Sequence, residues 1–406
     1  MVLVALLALL TMPATAWAVP PGETWGAELA VADSDDVDVV AADDAVRLTG
    51  TAPRTTSSGP TPAEGTLLLA PRRLGAVADR VSAAVTADRP PGSEVLVAVR
   101  GLRDDGSWSE WIPTGTDGPA QLPVATLQVQ VRVTLLAGPD GTGPALRRLW
   151  LTADATPTPR LLAASASPFT ARVFATRIGL VGNTTANGHR IVDDDRFVAL
   201  PSRRGLAPDD AGDYTVRVCA GNGRCAWAPV WDVGPWNTKD DHWNADRQTF
   251  RDLPRGVPEA QAAREDGYNG GRDAFGRRVS NPAGIDLADG TYRRDLRLTD
   301  NSWVDVAYLW TGSGPAGTTG DETLTVRRAP SADAPDVGAV APRSRVLIAC
   351  STGTTTATPA ADVRRTAPTT STAPAPTPAP AGRWLRLDTD RYVPADSLEA
   401  PDVPAC

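Results

Sequence analysis

The chain has 406 residues with 42% hydrophobic side chains, which is enough to bury several cores and too long for one ordinary domain. Its formal net charge is −8, so an acidic surface repels nucleic acid and anionic lipid headgroups, and neither is expected as a partner. The 37 prolines and 36 glycines break the chain into short elements, and the abundance of Thr and Val over helical periodicity predicts a mainly β protein.

The run Val2 to Leu10 is purely apolar and leads to Ala16-Trp17-Ala18, the small-residue pattern of an export signal, so residues 1–18 are expected to be a cleaved signal peptide. That run falls well short of the about 20 apolar residues that cross a bilayer, and no other span is predicted after cleavage. A secreted, wall-associated location follows from this reading. Residues 19–65 combine the acidic stretch Asp33 to Asp44 with the Pro/Thr/Ser-rich Thr51 to Gly65, a composition that predicts a poorly ordered spacer.

From 66 to 153 the pattern alternates with period two, as in Glu94 to Arg100 and Leu127 to Val133, and predicts a small β-sandwich. The segment Gly106-Ser107-Trp108-Ser109-Glu110-Trp111, followed by a Val-Gln-Val-Arg strand, resembles the galactose-binding-like jelly rolls of exported hydrolases. By that resemblance Trp108 and Trp111 could stack on a sugar face; packing against the sheet is the favoured alternative. Residues 154–174 read as a Pro/Ala/Thr-rich linker.

The central region, 175–312, holds four segments in order: Gly182-Asn183-Thr184-Thr185-Ala186-Asn187-Gly188, Arg196 to Ser202 with its Leu200-Pro201, Val230-Trp231-Asp232-Val233-Gly234-Pro235-Trp236, and Gly284-Ile285-Asp286-Leu287-Ala288. Together they resemble the double-psi β-barrel of rare lipoprotein A, over about a third of the chain. Related barrels occur in expansins, family-45 endoglucanases and lytic transglycosylases, which act on β-1,4-linked polysaccharides. The resemblance implies that Asp232 matches the catalytic acid and that Asp286 is the second acidic position. Alternation within Ala228 to Val233 places Asp232 beside apolar neighbours at a strand end, where desolvation should raise its pKa and suit it to general-acid work. The alternative is that Asp232 caps the turn at Gly234. Asp286, just ahead of Leu287-Ala288-Asp289, reads more readily as the N-cap of a short helix.

The sequence departs from the barrel family at two places: His189 stands where an acidic residue follows the Thr-Ala-Asn-Gly turn, and Phe197-Val198-Ala199 replaces a histidine ahead of Leu-Pro. These departures favour binding over turnover. Asn187 and His189 are candidate groove residues, with an exposed turn histidine as the plain alternative. Between Pro235 and Gly284 lies a long insertion with one helical stretch near Pro258 to Asp266. Trp227, Trp231, Trp236 and Trp243 form either a sugar-stacking wall or a packed lid. Asp193-Asp194-Asp195 and Asp240-Asp241 lack a calcium-ligand spacing and read as solvated loops, so neither a metal nor a cofactor is expected.

Gly312 to Gly317 fits G-x-G-x-x-G without the strand–turn–helix context, so 313–321 reads as a linker. Residues 322–400, with Leu324 to Ser331, Arg345 to Ile348, Gly382 to Leu387 and Arg391 to Val393, resemble bacterial SH3-like domains, which bind wall peptides or glycans. The Thr/Pro/Ala-rich insertion 351–381 within them is expected to be disordered. Export and the spacing of the four cysteines favour disulfides Cys219–Cys225 and Cys350–Cys406 over a zinc site. The function expected is wall-polysaccharide or peptidoglycan binding on an expansin-like barrel. The alternatives are an active lytic transglycosylase using Asp232, and a non-catalytic structural envelope protein.

Overall fold

The computed structural model describes residues 22–31, 35–115, 118–156, 167–353 and 382–406. The signal-peptide reading of 1–18, and all of the 351–381 insertion beyond Gly353, lie outside the described residues. Among the described residues no helix is long and apolar enough to cross a membrane.

The chain is mainly β. Strands β1 (Glu23–Gly26), β2 (Val39–Ala42) and β3 (Ala45–Leu48) precede a hairpin of β4 (Arg54–Thr56) and β5 (Gly59–Thr61). They are followed by β6 (Glu64–Leu68), β7 (Arg72–Asp88), β8 (Glu94–Gly101), β9 (Ile112–Thr114), β10 (Ala120–Leu136) and β11 (Ala145–Asp154). Nine of these strands form one sheet, ordered β2-β3-β11-β7-β10-β8-β9 with β1 on β11 and β6 on β10. The expected spacer 19–65 is therefore corrected in its described part: β1, β2 and β3 are members of the sheet, and the Thr/Ser-rich stretch is a paired hairpin. Composition argued for disorder, but Val39 and Val46 bury against Leu67, Val133 and Leu146 and supply the apolar area that a spacer lacks.

The central region contributes β12 (Phe169–Arg177), β13 (Val198–Leu200), β14 (Thr215–Ala220), β15 (Cys225–Val233), a helix α1 (Glu259–Asp266), β16 (Ala283–Leu287) and β17 (Ser302–Tyr308). Six strands close a barrel in the cycle β13-β16-β12-β17-β14-β15 and back to β13. Two of these pairings, β12–β16 and β13–β15, are parallel and the rest antiparallel. The expected linker 154–174 gives way to β12, which begins at Phe169. All nine residues of β15 are buried, so Asp232 is removed from water together with its apolar neighbours on both faces of the strand. A barrel strand covered on its outer face by further structure has no solvent side.

The remaining strands are β18 (Ala316–Thr319), β19 (Leu324–Arg327), β20 (Asp336–Val340), β21 (Arg345–Leu347), β22 (Cys350–Thr352), β23 (Trp384–Asp388), β24 (Arg391–Pro394) and β25 (Leu398–Glu399). β20 adds to the barrel in parallel, with Cys225, Ala226 and Trp227 opposite Gly338, Ala339 and Val340. Gly338 has φ +155°, and a Cβ there would sit 1.8 Å from the Cys225 carbonyl oxygen, so this contact demands glycine. The linker expected at 313–321 contains β18, which pairs with β21 and β25. Both disulfides are present: Cys219–Cys225 closes the β14–β15 hairpin and Cys350–Cys406 returns the chain end to β22.

The N-terminal sheet and the barrel share one core, since Leu68 and Trp111 pack with barrel residues such as Phe197, Tyr214 and Trp243. Arg132, pushed down to about 9 by burial and with neighbouring Arg203 adding to the effect, donates to the Leu206 and Arg203 carbonyls at 3.3 and 2.7 Å. Trp111 donates from Nε1 to Leu206 O at 3.0 Å, and the Tyr214 hydroxyl to Ser109 O at 2.6 Å.

Candidate functional site

The barrel brings two carboxylates to one level. Ala199 of β13 is opposite Asp232 on the parallel strand β15 and opposite Asp286 on the antiparallel strand β16. The acids therefore flank one short strand, separated at the backbone by two strand spacings, roughly 10 Å. The Leu-Pro segment that supplies β13 is the spacer between them. Both side chains are buried, Asp232 to 4% and Asp286 to 1% residue exposure.

Asp232 accepts from the backbone N–H of Ala186 at 2.9 Å and of Val233 at 2.8 Å through Oδ1. The Thr-Ala-Asn-Gly turn thus contributes a peptide N–H to the acid. The same oxygen receives Arg54 Nη2 from the β4–β5 hairpin. Asp286 accepts from the Thr176 hydroxyl on β12 and from the Ser57 hydroxyl at the tip of that hairpin. Burial pushes the Asp286 carboxyl up to about 7; the two hydroxyl bonds oppose the shift and the nearby Asp232 charge adds to it. The helix-cap role expected for Asp286 is corrected, because the residue lies inside β16 and its carboxylate points to hydroxyls rather than to helix N–H groups.

Two further contacts seat the hairpin. Ser58 Oγ accepts from the Trp236 backbone N–H at 3.1 Å. Arg277 Nη1 donates to the Pro60 carbonyl at 3.0 Å, and its Nη2 to the Trp236 carbonyl at 2.5 Å. The Thr56 hydroxyl donates to Gly59 O at 2.6 Å and tightens the turn. Beside the hairpin stem a cleft of about 410 Å³ continues between Arg54, Thr55 and the turn Gly182 to Ala186.

The other expected site residues divide. Trp236 meets the hairpin through its backbone; its indole is buried, donating to Asn281 Oδ1 at 3.1 Å among Ala260, Ala263 and Val279. Asn187 is a turn residue, with Oδ1 taking the Thr185 hydroxyl at 2.6 Å and the His189 N–H at 3.2 Å. His189 is half-buried rather than exposed, Nε2 lying 2.8 Å from Asp195 Oδ2 and the ring 4.9 Å from that of Trp231. Its pKa is raised chiefly by the Asp195 hydrogen bond, against burial. Trp231 is buried in the barrel core and donates to Ala211 O at 2.8 Å.

Trp111 and Trp243 are corrected as sugar platforms: exposures of 1% and 0% leave no face for a ligand. Both belong to the seam between the N-terminal sheet and the barrel, where Glu110 accepts from the indole N–H of Trp243 and, at 2.8 Å, of Trp310. Trp108 is half-buried under the Arg100 guanidinium, 4.5 Å from its ring centre, and Trp227 packs in the C-terminal core. The Trp-rich insertion is a packed lid. Asp240 and Asp241 are wholly buried, not solvated: Asp240 pairs with Arg247 and accepts the Glu259 N–H at 2.7 Å, and Asp241 pairs with Arg204 at 2.8 Å. Burial lifts Asp240 to about 6 and Glu259 to about 7. Among the described residues no three His, Cys, Asp or Glu side chains gather as metal ligands.

A larger cleft, about 580 Å³, lies away from both carboxylates and is lined by Arg132, Arg203, Arg204 and Lys239. Arg203 and Arg204 are already paired with Glu64, Glu110 and Asp241, so much of its charge belongs to the seam.

Sequence reasoning missed Arg54, Ser57, Ser58, Thr176 and Arg277. A signal for the first three existed: Thr-Thr-Ser-Ser-Gly-Pro-Thr sets β-branched residues around a Ser-Ser-Gly turn, which is a hairpin pattern.

A domain family of unknown function, DUF8814, matches residues 169–307. Those limits coincide with the closed barrel from β12 to β17. No curated protein and no solved structure matches the chain.

Proposed function

We propose that this is an exported wall-polysaccharide binding protein, acting on peptidoglycan, whose site is the Asp232–Asp286 groove of a double-psi barrel of the lytic-transglycosylase and expansin kind. The single observation behind the reading is the register: two buried carboxylates aligned across Ala199, facing a polar extended segment that already fills the groove. A groove that satisfies hydroxyls and a cation with fixed carboxylates suits a hydroxyl-rich chain. The SH3-like reading of the C-terminal region and the jelly-roll reading of the N-terminal sheet support the same wall location through resemblance alone.

An active lytic transglycosylase is the second reading, and the raised Asp286 carboxyl favours it, since an acid poised near neutrality can donate a proton to a glycosidic oxygen. It moves the acid role from Asp232, which the sequence suggested, to Asp286. The test is incubation of purified peptidoglycan with the protein and its Asp232→Asn and Asp286→Asn variants, followed by sedimentation and mass analysis of soluble products. Protein in the pellet without products is the expected result. Anhydro-muropeptides lost in Asp286→Asn establish the enzyme instead, and protein left in the supernatant with no products overturns both.

A further inference from the structure

We propose that the β4–β5 hairpin is a built-in occupant of the carboxylate groove, and that the ligand displacing it is a glycan carrying free amino groups. This inference deepens the wall-polysaccharide reading and rests on it.

The hairpin meets both acids with different chemistry. It sets a guanidinium, Arg54, on Asp232 and a hydroxyl, Ser57, on Asp286, while Ser58 takes the Trp236 N–H. A hexosamine unit offers the same pair of groups, hydroxyls throughout and an ammonium wherever its amine is unacetylated. A fully N-acetylated strand supplies the hydroxyls and leaves Asp232 without its cation.

The hairpin is also built to leave. β4 and β5 pair only with each other, in a sheet of their own between β3 and β6. An isolated two-stranded hairpin is marginal in water, so its place depends on the groove contacts. Those contacts are polar: Ser57 is exposed overall, and Arg54 Nε and Nη1 are buried donors without a hydrogen-bond partner among the described residues. Residues 49–53 on one side are mostly exposed, and the 410 Å³ cleft beside the stem leaves room for a ligand to enter before the hairpin is out. The Ala63 carbonyl, accepting from the Ala137 N–H at 2.9 Å, anchors the other side.

The test uses the whole protein, an Arg54→Ala/Ser57→Ala variant, and two probes, a glucosamine hexamer and its fully N-acetylated counterpart. Tryptophan fluorescence gives affinity, and amide hydrogen exchange over 54–61 reports the hairpin. The free-amine hexamer should bind the variant about tenfold more tightly than the parent, bind more tightly than the acetylated hexamer, and raise exchange in the parent hairpin at saturation. Exchange in the unaltered chain also separates groove entry from general attraction of a cationic oligomer to an acidic surface, and it needs no variant to fold. Equal affinity for parent and variant, equal affinity for the two hexamers, unchanged protection on saturation, or no binding of either hexamer each overturns the proposal. Sedimentation with peptidoglycan decides the wall-binding reading separately: a protein that pellets but fails these titrations keeps that reading and loses the hairpin.

Discussion

The groove and the seam solve the same problem with opposite means. At the seam, the N-terminal sheet reaches the barrel through Trp111, which is buried with Tyr214, Trp243 and Trp310 in one apolar core, and Glu110 satisfies two indole N–H groups inside it. At the groove, the same N-terminal region reaches the barrel through the hairpin, by one ion pair and by hydroxyl contacts. Area removed from water is non-directional and costly to re-expose, whereas a polar contact is exchanged readily for a ligand or for water. One contact joins two parts of a single body; the other is replaceable.

The largest effect expected from this contrast is at the seam. Trp111→Ala should cost about 3–5 kcal/mol, the range for removing a buried tryptophan, as a fall in the denaturant midpoint. A loss under about 1 kcal/mol would mean that the seam is as loosely held as the groove.

Next comes the pH dependence of the groove. The folded Asp286 carboxyl stands at about 7, above the usual carboxylate range, so the native state holds this proton longer than the unfolded chain does. Its stabilising contribution is fully present below the unfolded value and is lost as pH rises from about 4 through about 7. Asp286→Asn should flatten that part of the stability–pH curve. An unchanged slope in the variant removes Asp286 as its source.

The smallest effect expected is that of Arg54→Ala on global stability. Breaking a buried ion pair ordinarily costs about 3–5 kcal/mol because a charge stays buried and unpaired. Here the hairpin can lift and let water reach Asp232, so the loss should be about 1 kcal/mol, with a clear rise in exchange at 54–61. A full loss of the ordinary size would show the hairpin to be as fixed as the seam.

Much of the site was readable as chemistry before its geometry was known. The order of the Thr-Ala-Asn-Gly, Leu-Pro, Trp-Asp-Val-Gly-Pro and Ile-Asp-Leu segments singled out Asp232 and Asp286, and the structure aligns both across Ala199. Local pattern also located the helix Glu259–Asp266, because its stretch follows a proline and ends at Gly267, which takes the left-handed conformation after the last turn. Both disulfides were legible because there are only four cysteines and two of them, six residues apart, flank a turn, which sets Cys350 with Cys406.

What the amino-acid sequence determined by itself was the mainly β class, set by local period, and the disulfides, set by cysteine number and spacing; the two acids were pointed to by the resemblance of four ordered segments to a barrel family. Only the tertiary structure decided which tryptophans face a core, since an indole suits a sugar or a seam equally well until its neighbours are known. It alone placed Asp286 where burial lifts the carboxyl, because desolvation is a sum over the whole surrounding fold. It alone brought Arg54 and Ser57 to carboxylates 178 and 229 residues away, a long-range match that composition, which reads only neighbours along the chain, assigned to a spacer.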